Sequence, residues 1–565
     1  KRVKNLFRKG DVMKKLSFLL AVIMMLSFSA CGGGTGTTSN EQTTQNTEQT
    51  EQATEETAEP AAEATAKSPD NDLVVAMQAD ATHLDPHVSG NGVSNTVTNT
   101  MYESLVTFDA DTNIVPMLAK EWSMSDDGLS YTFVLNEGIT FHDGEPFNAE
   151  AVIANWERGR SDQSLRIYTQ TQSWVSAVAD SEYQLTITLD EPNNTFLNKL
   201  TQVRIISPKA IEEWGQDGLA KQSAGTGPYI LSERVDGGYT KMVRNENYWG
   251  EQPYYDEVIV KYIPDASARL QALQSGEIDL IYGSALLTWD DYQQATSLPN
   301  IAGAVAESDS KTRNLVLNAS GVLSDLRVRE AVAYAIDKET LSEGLTYGEE
   351  TPADHLFPDG IPYTDVELNV VRTYDPEKAN ALLDEAGWVL NESTGIREKD
   401  GQALSLKYTY DSGDALNKSL ATAVKSQLAA VGINVETEGQ EMMTWWQEGV
   451  AGNYDLIMWN TEQPYTSPHN YFIPMLSRSP HVPSLPAVEG SDEFLSLIEE
   501  FQTTDDSARV QEIFNQLLNF DNDNVLDLPL LFVKDMIVYN TDKIAGYDFS
   551  STPMFFDVRL IQPAE

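Results

Sequence analysis

Two hydrophobic periods alternate along this chain from about Asp72 to its end, and that alternation limits the fold more than any other feature. Tyr131, Phe133 and Leu135, and again Leu185, Ile187 and Leu189, recur at every second position, the pattern of strands buried on one face. Val328, Ala331, Val332, Ala335 and Ile336 recur at i, i+3, i+4, i+7 and i+8, one face of a helix. Asp375-Pro376 opens a second helix with an N-cap and a first-turn proline; Ala379, Leu382, Leu383 and Ala386 form its apolar face, and Gly387 ends it. Leu416, Leu420, Ala423, Val424, Leu428 and Val431 mark a third, stopped by Gly432, with Ile433-Asn434-Val435 following as a strand. Strands and helices interleaved in this way stack as α/β layers. The chain shows no internal repeat, and 565 residues leave room for about three to four domain-sized units.

Composition removes several classes of function. Eighty-six acidic side chains against 38 basic ones give a net charge of −48, so a polyphosphate would meet repulsion and nucleic acid is excluded as a partner. A hydrophobic fraction of 41%, with 10 Trp and 23 Tyr, is too rich for a disordered chain. A single cysteine rules out an internal disulfide framework and a Cys-rich zinc site.

That cysteine, Cys31, ends a recognisable segment. Met13-Lys14-Lys15 supplies a basic start, Leu16 to Phe28 an apolar run too short to span a membrane comfortably, and Ser29-Ala30 small residues before Cys31. The segment resembles the lipobox of bacterial lipoproteins, and the resemblance implies export and lipidation of Cys31, with the true start at Met13. Residues 32–71 are rich in Gly, Thr, Gln, Glu and Ala without aromatics or periodicity, a disordered tether with a reach of roughly 35 Å. The body would then sit outside the cytoplasm, held to the membrane through Cys31.

Catalytic signatures are missing. No G-x-S-x-G, H-E-x-x-H or P-loop occurs. His83 and His87 stand four apart, the spacing of a helical metal pair, but Pro86 points to a loop. Gly225-Thr226-Gly227-Pro228 reads as a turn leading into a strand at Tyr229, and His142-Asp143-Gly144 as a turn before a helix beginning at Glu145-Pro146.

The body instead carries a series of segments: Val243-Arg244-Asn245-Glu246-Asn247-Tyr248-Trp249-Gly250, Ile263-Pro264-Asp265, Gly276-Glu277-Ile278-Asp279-Leu280, Asp325-Leu326-Arg327-Val328-Arg329-Glu330-Ala331, Asp375-Pro376-Glu377-Lys378-Ala379 and Ala386-Gly387-Trp388. This series is similar to the peptide/nickel class of extracellular solute-binding proteins of ABC importers. The resemblance implies an α/β, two-lobed periplasmic-binding-protein fold with an extra subdomain in lobe one and a ligand cleft between the lobes. Lobe one would comprise 72–316 and 529–565, lobe two 317–528. It implies a binding protein, not an enzyme, without a cofactor, acting as a monomer that serves a membrane permease and its ATPase.

Within the class, Gly395-Ile396-Arg397-Glu398-Lys399-Asp400-Gly401-Gln402, Val243 to Glu251 and Gln463-Pro464-Tyr465-Thr466-Ser467-Pro468-His469 look most like the nickel-binding branch. The function this implies is capture of chelated nickel, a metal–metallophore complex, as cargo; the alternative is a dipeptide or oligopeptide, with Glu462 standing in for the peptide-anchoring Asp that Pro464 replaces. By the same resemblance His481, in Ser479-Pro480-His481, would reach the metal, and a His481→Ala change would leave stability nearly unaltered. Arg204 would grip the chelator's carboxylates as the one arginine kept of the branch's two, and Trp446, Tyr465 and Tyr168 would line the cleft. Trp249 reads as structural.

Overall fold

The computed structural model describes residues 71–564 apart from 82, 89–91, 110–112, 194, 462–467, 505 and 550–555, and describes 92, 93 and 169 by backbone alone. All lie in one compact unit, Ser68–Glu565. The export segment with Cys31, and the tether up to residue 70, fall outside the described residues.

Three sheets carry the described chain. A seven-stranded mixed sheet runs Ile301–Val305, Met536–Asn540, Leu280–Tyr282, Asp72–Met77, Glu257–Tyr262, Tyr239–Arg244, Tyr229–Val235, and forms lobe one. Its central strand, Leu-Val-Val-Ala-Met after Asp72, is apolar without alternation because it pairs in parallel on both sides and is covered on both faces. A five-stranded sheet, Asn434–Gln440, Ser405–Asp411, Leu456–Asn460, Lys311–Leu317, Asp527–Val533, forms lobe two. A four-stranded antiparallel sheet, Ala119–Met124, Ser130–Leu135, Gln184–Leu189, Trp174–Ser181, is the subdomain inserted in lobe one, with its own core around Phe133, Phe147 and Phe196. Here the alternation seen in the sequence is explicit: Tyr131, Phe133, Leu135 and Leu185, Ile187, Leu189 point inward, and their neighbours are half exposed.

The helices obey the same logic. Leu326–Ala335 buries Val328, Ala331, Val332 and Ala335, and Ile336 is buried one step beyond its end in extended backbone. In Pro376–Glu385 the Asp375 side chain accepts from the Lys378 N–H, and Gly387 leaves the helix at φ +87°. Asn417–Ala430 stops before Gly432 at φ +84°, and the strand Asn434–Gln440 follows. The helix expected from Glu145-Pro146 begins later, at Ala149, because Pro146 is bridged to Thr140 and Asn148 supplies the cap. Among the described residues no helix is long and apolar enough to cross a membrane.

The chain passes between the lobes twice, after Val305 and after Val533, and the two passages run side by side. Ala306 N donates to Asp535 O at 2.9 Å and Ser310 N to Val533 O at 2.6 Å, while the Asp535 carboxylate accepts from Ser284 N and Oγ. Paired crossing strands of this kind form a hinge. The lobe boundaries expected at 316/317 and 528/529 fall inside sheet partners: Lys311–Leu317 and Asp527–Val533 pair with each other within lobe two. Hydrophobic period does not change where a strand leaves one sheet for another, so the crossings are invisible to it.

Gly225-Thr226-Gly227-Pro228 leads into the strand at Tyr229, with Gly227 N donating to Met101 O and Tyr229 N to Thr100 O. A Cβ on Gly225 would lie 2.0 Å from the Met101 carbonyl oxygen. Gly225→Ala is therefore expected to cost about 1–3 kcal/mol, read as a lower unfolding midpoint. An unchanged midpoint would show that Met101 can move aside.

Candidate functional site

The segment Val203-Arg204-Ile205 passes under lobe one in extended form. Val203 and Ile205 are buried on one side, which turns Arg204 to the other. Its backbone is fixed at two points. Ile205 N donates to Glu103 O, and the Arg204 carbonyl accepts from His87 Nε2 at 2.7 Å. Because Arg158 donates to His87 Nδ1, that nitrogen is the acceptor and Nε2 carries the proton. Burial holds His87 neutral, with its pKa near 4, and Asp85 closes the chain by pairing with Arg158. The His83/His87 spacing thus belongs to a loop whose second histidine positions Arg204.

Among the described residues the Arg204 guanidinium hydrogen-bonds to two neutral oxygens: Nη2 donates to Asn99 Oδ1 at 2.9 Å and Nη1 to Ser104 Oγ at 3.3 Å. It faces a cavity of 440 Å³ whose lining also includes Tyr102, Met117, Gln202, Phe549 and Phe556. Two further arginines line it. Arg166 opens the helix Arg166–Thr171, where buried Leu165 and Ile167 on either side orient it, and it donates to Gln202 Oε1. Arg559 comes from the far end of the chain, with Nε at 2.9 Å from Asp557 Oδ1. Burial first, and then the like charge of Arg559, pull the Arg204 pKa down to about 10; burial and the lobe-two Arg478 lower that of Arg166. Asp109, Asp548 and Asp557 also line the cavity; Asp109 accepts from Asn113, the exposed Asp548 from Gln562, and Asp557 is paired with Arg559, which leaves Arg204 without an ion pair to a lining carboxylate among the described residues. The cavity is thus a small, partly aromatic space with convergent guanidiniums, a receptor for carboxylates or other anions.

Behind Arg204, buried Glu103 accepts from Tyr248 OH, Trp249 Nε1 and Thr226 Oγ1 at 2.7–2.8 Å, and burial raises its pKa despite these donors. Trp249 is accordingly tied to a structural carboxylate.

The remaining candidates lie elsewhere. Tyr168 lines a separate recess beside the cavity, with Trp174 and Gln172. Trp446 is partly exposed on the helix Met442–Val450, next to Trp445, whose ring packs on Trp459 at 4.5 Å. Tyr465, with Glu462 and Pro464, lies outside the described residues. His481 is 3% exposed inside lobe two, its Nδ1 2.6 Å from Ser479 Oγ and its Nε2 3.1 Å from Asp527 Oδ2, and it does not line the arginine cavity. The surrounding polar groups satisfy the ring inside the lobe, so His481→Ala is a change in a buried network rather than in a surface loop. Arg166 and Arg559 were missed because the chain brings them to Arg204 from remote positions; no local pattern around Ser164-Leu165-Arg166 or Asp557-Val558-Arg559 marks them.

Residues 113–481 match the family model described as "Bacterial extracellular solute-binding proteins, family 5 Middle". The chain is 33% identical over 447 residues to the nickel-binding periplasmic protein of Escherichia coli K12, covering 78% of this chain and 84% of that one. It is 31% identical over 369 residues to the glutathione-binding protein GsiB of Salmonella typhi, covering 64% and 68%. The fold superposes with a TM-score of 0.81 on NikA from Brucella suis, solved in complex with Fe(III)-EDTA, at 31% identity over 87% of this chain and 99% of that one.

Proposed function

We propose that this chain, which belongs to the bacterial extracellular solute-binding proteins of family 5, captures a small carboxylate-bearing metal chelate, nickel foremost, in the arginine cavity. It is a solute-binding protein of an ABC importer in the nickel/peptide class, working outside the cytoplasm with a permease and its ATPase; its relatives are binding proteins, not enzymes. The observation that carries the chelate reading is the convergence of Arg166, Arg204 and Arg559 on one cavity, with Arg204 hydrogen-bonded to neutral oxygens among the described residues. A chelator's carboxylates would replace water at these guanidiniums as bidentate acceptors. Closure about the paired crossing strands would then bury the cargo under lobe two, and the permease would release it by prising the lobes apart. The relatives named for nickel and for Fe(III)-EDTA support this choice of cargo. Lipidation at Cys31 would keep the monomeric body within a tether's length of the permease, a reading that rests on the sequence around Cys31.

The test is native mass spectrometry of the protein from Ser68 onward, offered a nickel–histidine mixture. One metal-plus-organic adduct per chain is expected. A spread of co-purified peptide masses without metal would assign the cavity to di- or oligopeptides instead.

A further inference from the structure

Lobe two contains a polar cluster that cargo capture does not use. His481 follows the short 3-10 turn Ile473–Leu476, Asp521 lies in the last turn of the helix Ser507–Asn524, and Asp527 begins the strand Asp527–Val533. Each is 3% exposed, and one ligand atom from each lies within 4.8 Å of the other two. We infer that His481, Asp521 and Asp527 form a resident site for a divalent first-row transition cation of the zinc type, separate from the cargo cavity.

Four observations carry this. First, the two carboxylates are buried side by side, and among the described residues neither has a Lys or Arg within salt-bridge distance. Such a pair needs a cation or a shared proton. Second, Asp521 Oδ1 and Asn314 Oδ1, both buried, have no hydrogen-bond partner among the described residues. Third, outer groups orient the ligands. Asp527 Oδ1 accepts from Tyr471 OH at 2.7 Å and from Asn314 Nδ2, leaving Oδ2 toward His481, and Ser479 Oγ engages His481 Nδ1. Without a cation Nε2–H can donate to Asp527 Oδ2; a bound cation would replace that proton, and with the ring proton on Nδ1 facing Ser479 Oγ, Nε2 would present its lone pair to the site, the arrangement of a metal-bound imidazole. Fourth, there is a way in and room for one more ligand. A cavity of 20 Å³, about the space of one water, touches both Asp521 and Asp527. It shares Asp354, His355 and Thr364 with a 460 Å³ recess that also carries Asp359 and Asp365. An acidic mouth thus leads to the buried carboxylates, and a water in the small cavity would be the fourth ligand.

One imidazole nitrogen and two carboxylate oxygens suit Zn²⁺ better than Ca²⁺ or Mg²⁺, which prefer all-oxygen shells of six or more. Three atoms no more than 4.8 Å apart share a point within about 2.8 Å of each. Movements of less than about 1 Å therefore bring them to zinc–ligand distances of about 2.0–2.2 Å.

The test uses the protein from Ser68, stripped with EDTA, dialysed and titrated with Zn²⁺ alone by calorimetry, alongside Asp521→Asn and the cargo-cavity variant Arg204→Met. Asparagine is isosteric with the neutral acid, so Asp521→Asn keeps the cluster's shape while removing a ligand charge. The expected result is one site per chain in the wild type and in Arg204→Met, with affinity at least tenfold weaker in Asp521→Asn. Zinc should also raise the unfolding midpoint of the wild type and not of Asp521→Asn. Equal zinc affinity in wild type and Asp521→Asn, no zinc site in the stripped wild type, or equal affinity for Ca²⁺ would each overturn the inference. Loss of zinc binding in Arg204→Met would do so too, by placing the metal in the cargo cavity. Because Arg204→Met separates the two sites, failure of this inference leaves the cargo reading standing, and the converse holds.

Discussion

Replacing Arg313 by methionine is expected to lower the unfolding free energy by about 3–5 kcal/mol, measured by urea denaturation near neutral pH. Arg313 is fully buried in the strand Lys311–Leu317, immediately after the first passage between the lobes. Its Nε donates to Glu350 at 3.0 Å and its Nη1 to Asp414 at 2.7 Å, and Glu350 also accepts from the indole of Trp289, a core residue of lobe one. One guanidinium therefore pairs with two buried carboxylates and, through Glu350, ties lobe two to lobe one at the hinge. Burial alone would lower the Arg313 pKa, but Asp414 and Glu350 outweigh it and raise it. Methionine fills most of the aliphatic volume, so the loss is electrostatic rather than a cavity effect.

The pH dependence separates those two causes. Burial keeps the Glu350 pKa raised even with Arg313 present, whereas at Asp414 burial is outweighed by Arg313 and Lys311 and the pKa falls. In the wild type Asp414 therefore contributes stability at neutral pH that is lost only as pH falls through its depressed folded value. Without Arg313, Glu350 holds its proton still more tightly folded than unfolded, and its penalty shrinks as pH falls through that raised value. The deficit of Arg313→Met should narrow as pH is lowered from neutrality through the raised Glu350 value. A deficit constant over that window would mean that packing, not charge, is what Arg313 supplies.

Elements with a strong period were readable from the chain because burial acts on them locally. The faces of Leu326–Ala335 and Asn417–Ala430 need only a core to their side, whatever that core is. Strand order was not readable: Ile301–Val305 and Met536–Asn540 pair across more than two hundred intervening residues, and only the finished hinge defines that register. The site divides along the same line. Arg204 came from a segment resemblance, but the grouping of guanidiniums in its cavity depends on Arg166 and Arg559, which no segment contains together. For His481 the resemblance names a reach toward metal, and the structure buries the ring in lobe two between Ser479 and Asp527; the Ser479-Pro480-His481 motif does not say which way the side chain turns.

Arg204→Met is expected to weaken binding of the nickel–histidine complex by about 2–5 kcal/mol, roughly thirtyfold to several thousandfold in Kd by calorimetry. The expectation rests on what Arg204 lacks. Its partners Asn99 and Ser104 hold the fork in place without neutralising it, so the charge is available to cargo. That availability costs stability in the unliganded protein. A base whose folded pKa is depressed to about 10 is penalised while charged, and the penalty is relieved only as pH rises through that value. Removing the charge while keeping most of the stem should therefore leave the melting temperature unchanged or raised, even as affinity falls, the signature of a residue kept for binding rather than folding. Arg204→Lys should fall between: the charge remains, but the bidentate fork is gone and a shorter-range point charge must serve two carboxylate oxygens. Equal affinity in all three proteins would remove Arg204 from the site. A parallel fall in affinity and melting temperature would make it a structural residue whose loss deforms the cavity, and Arg166 would then be the guanidinium to replace.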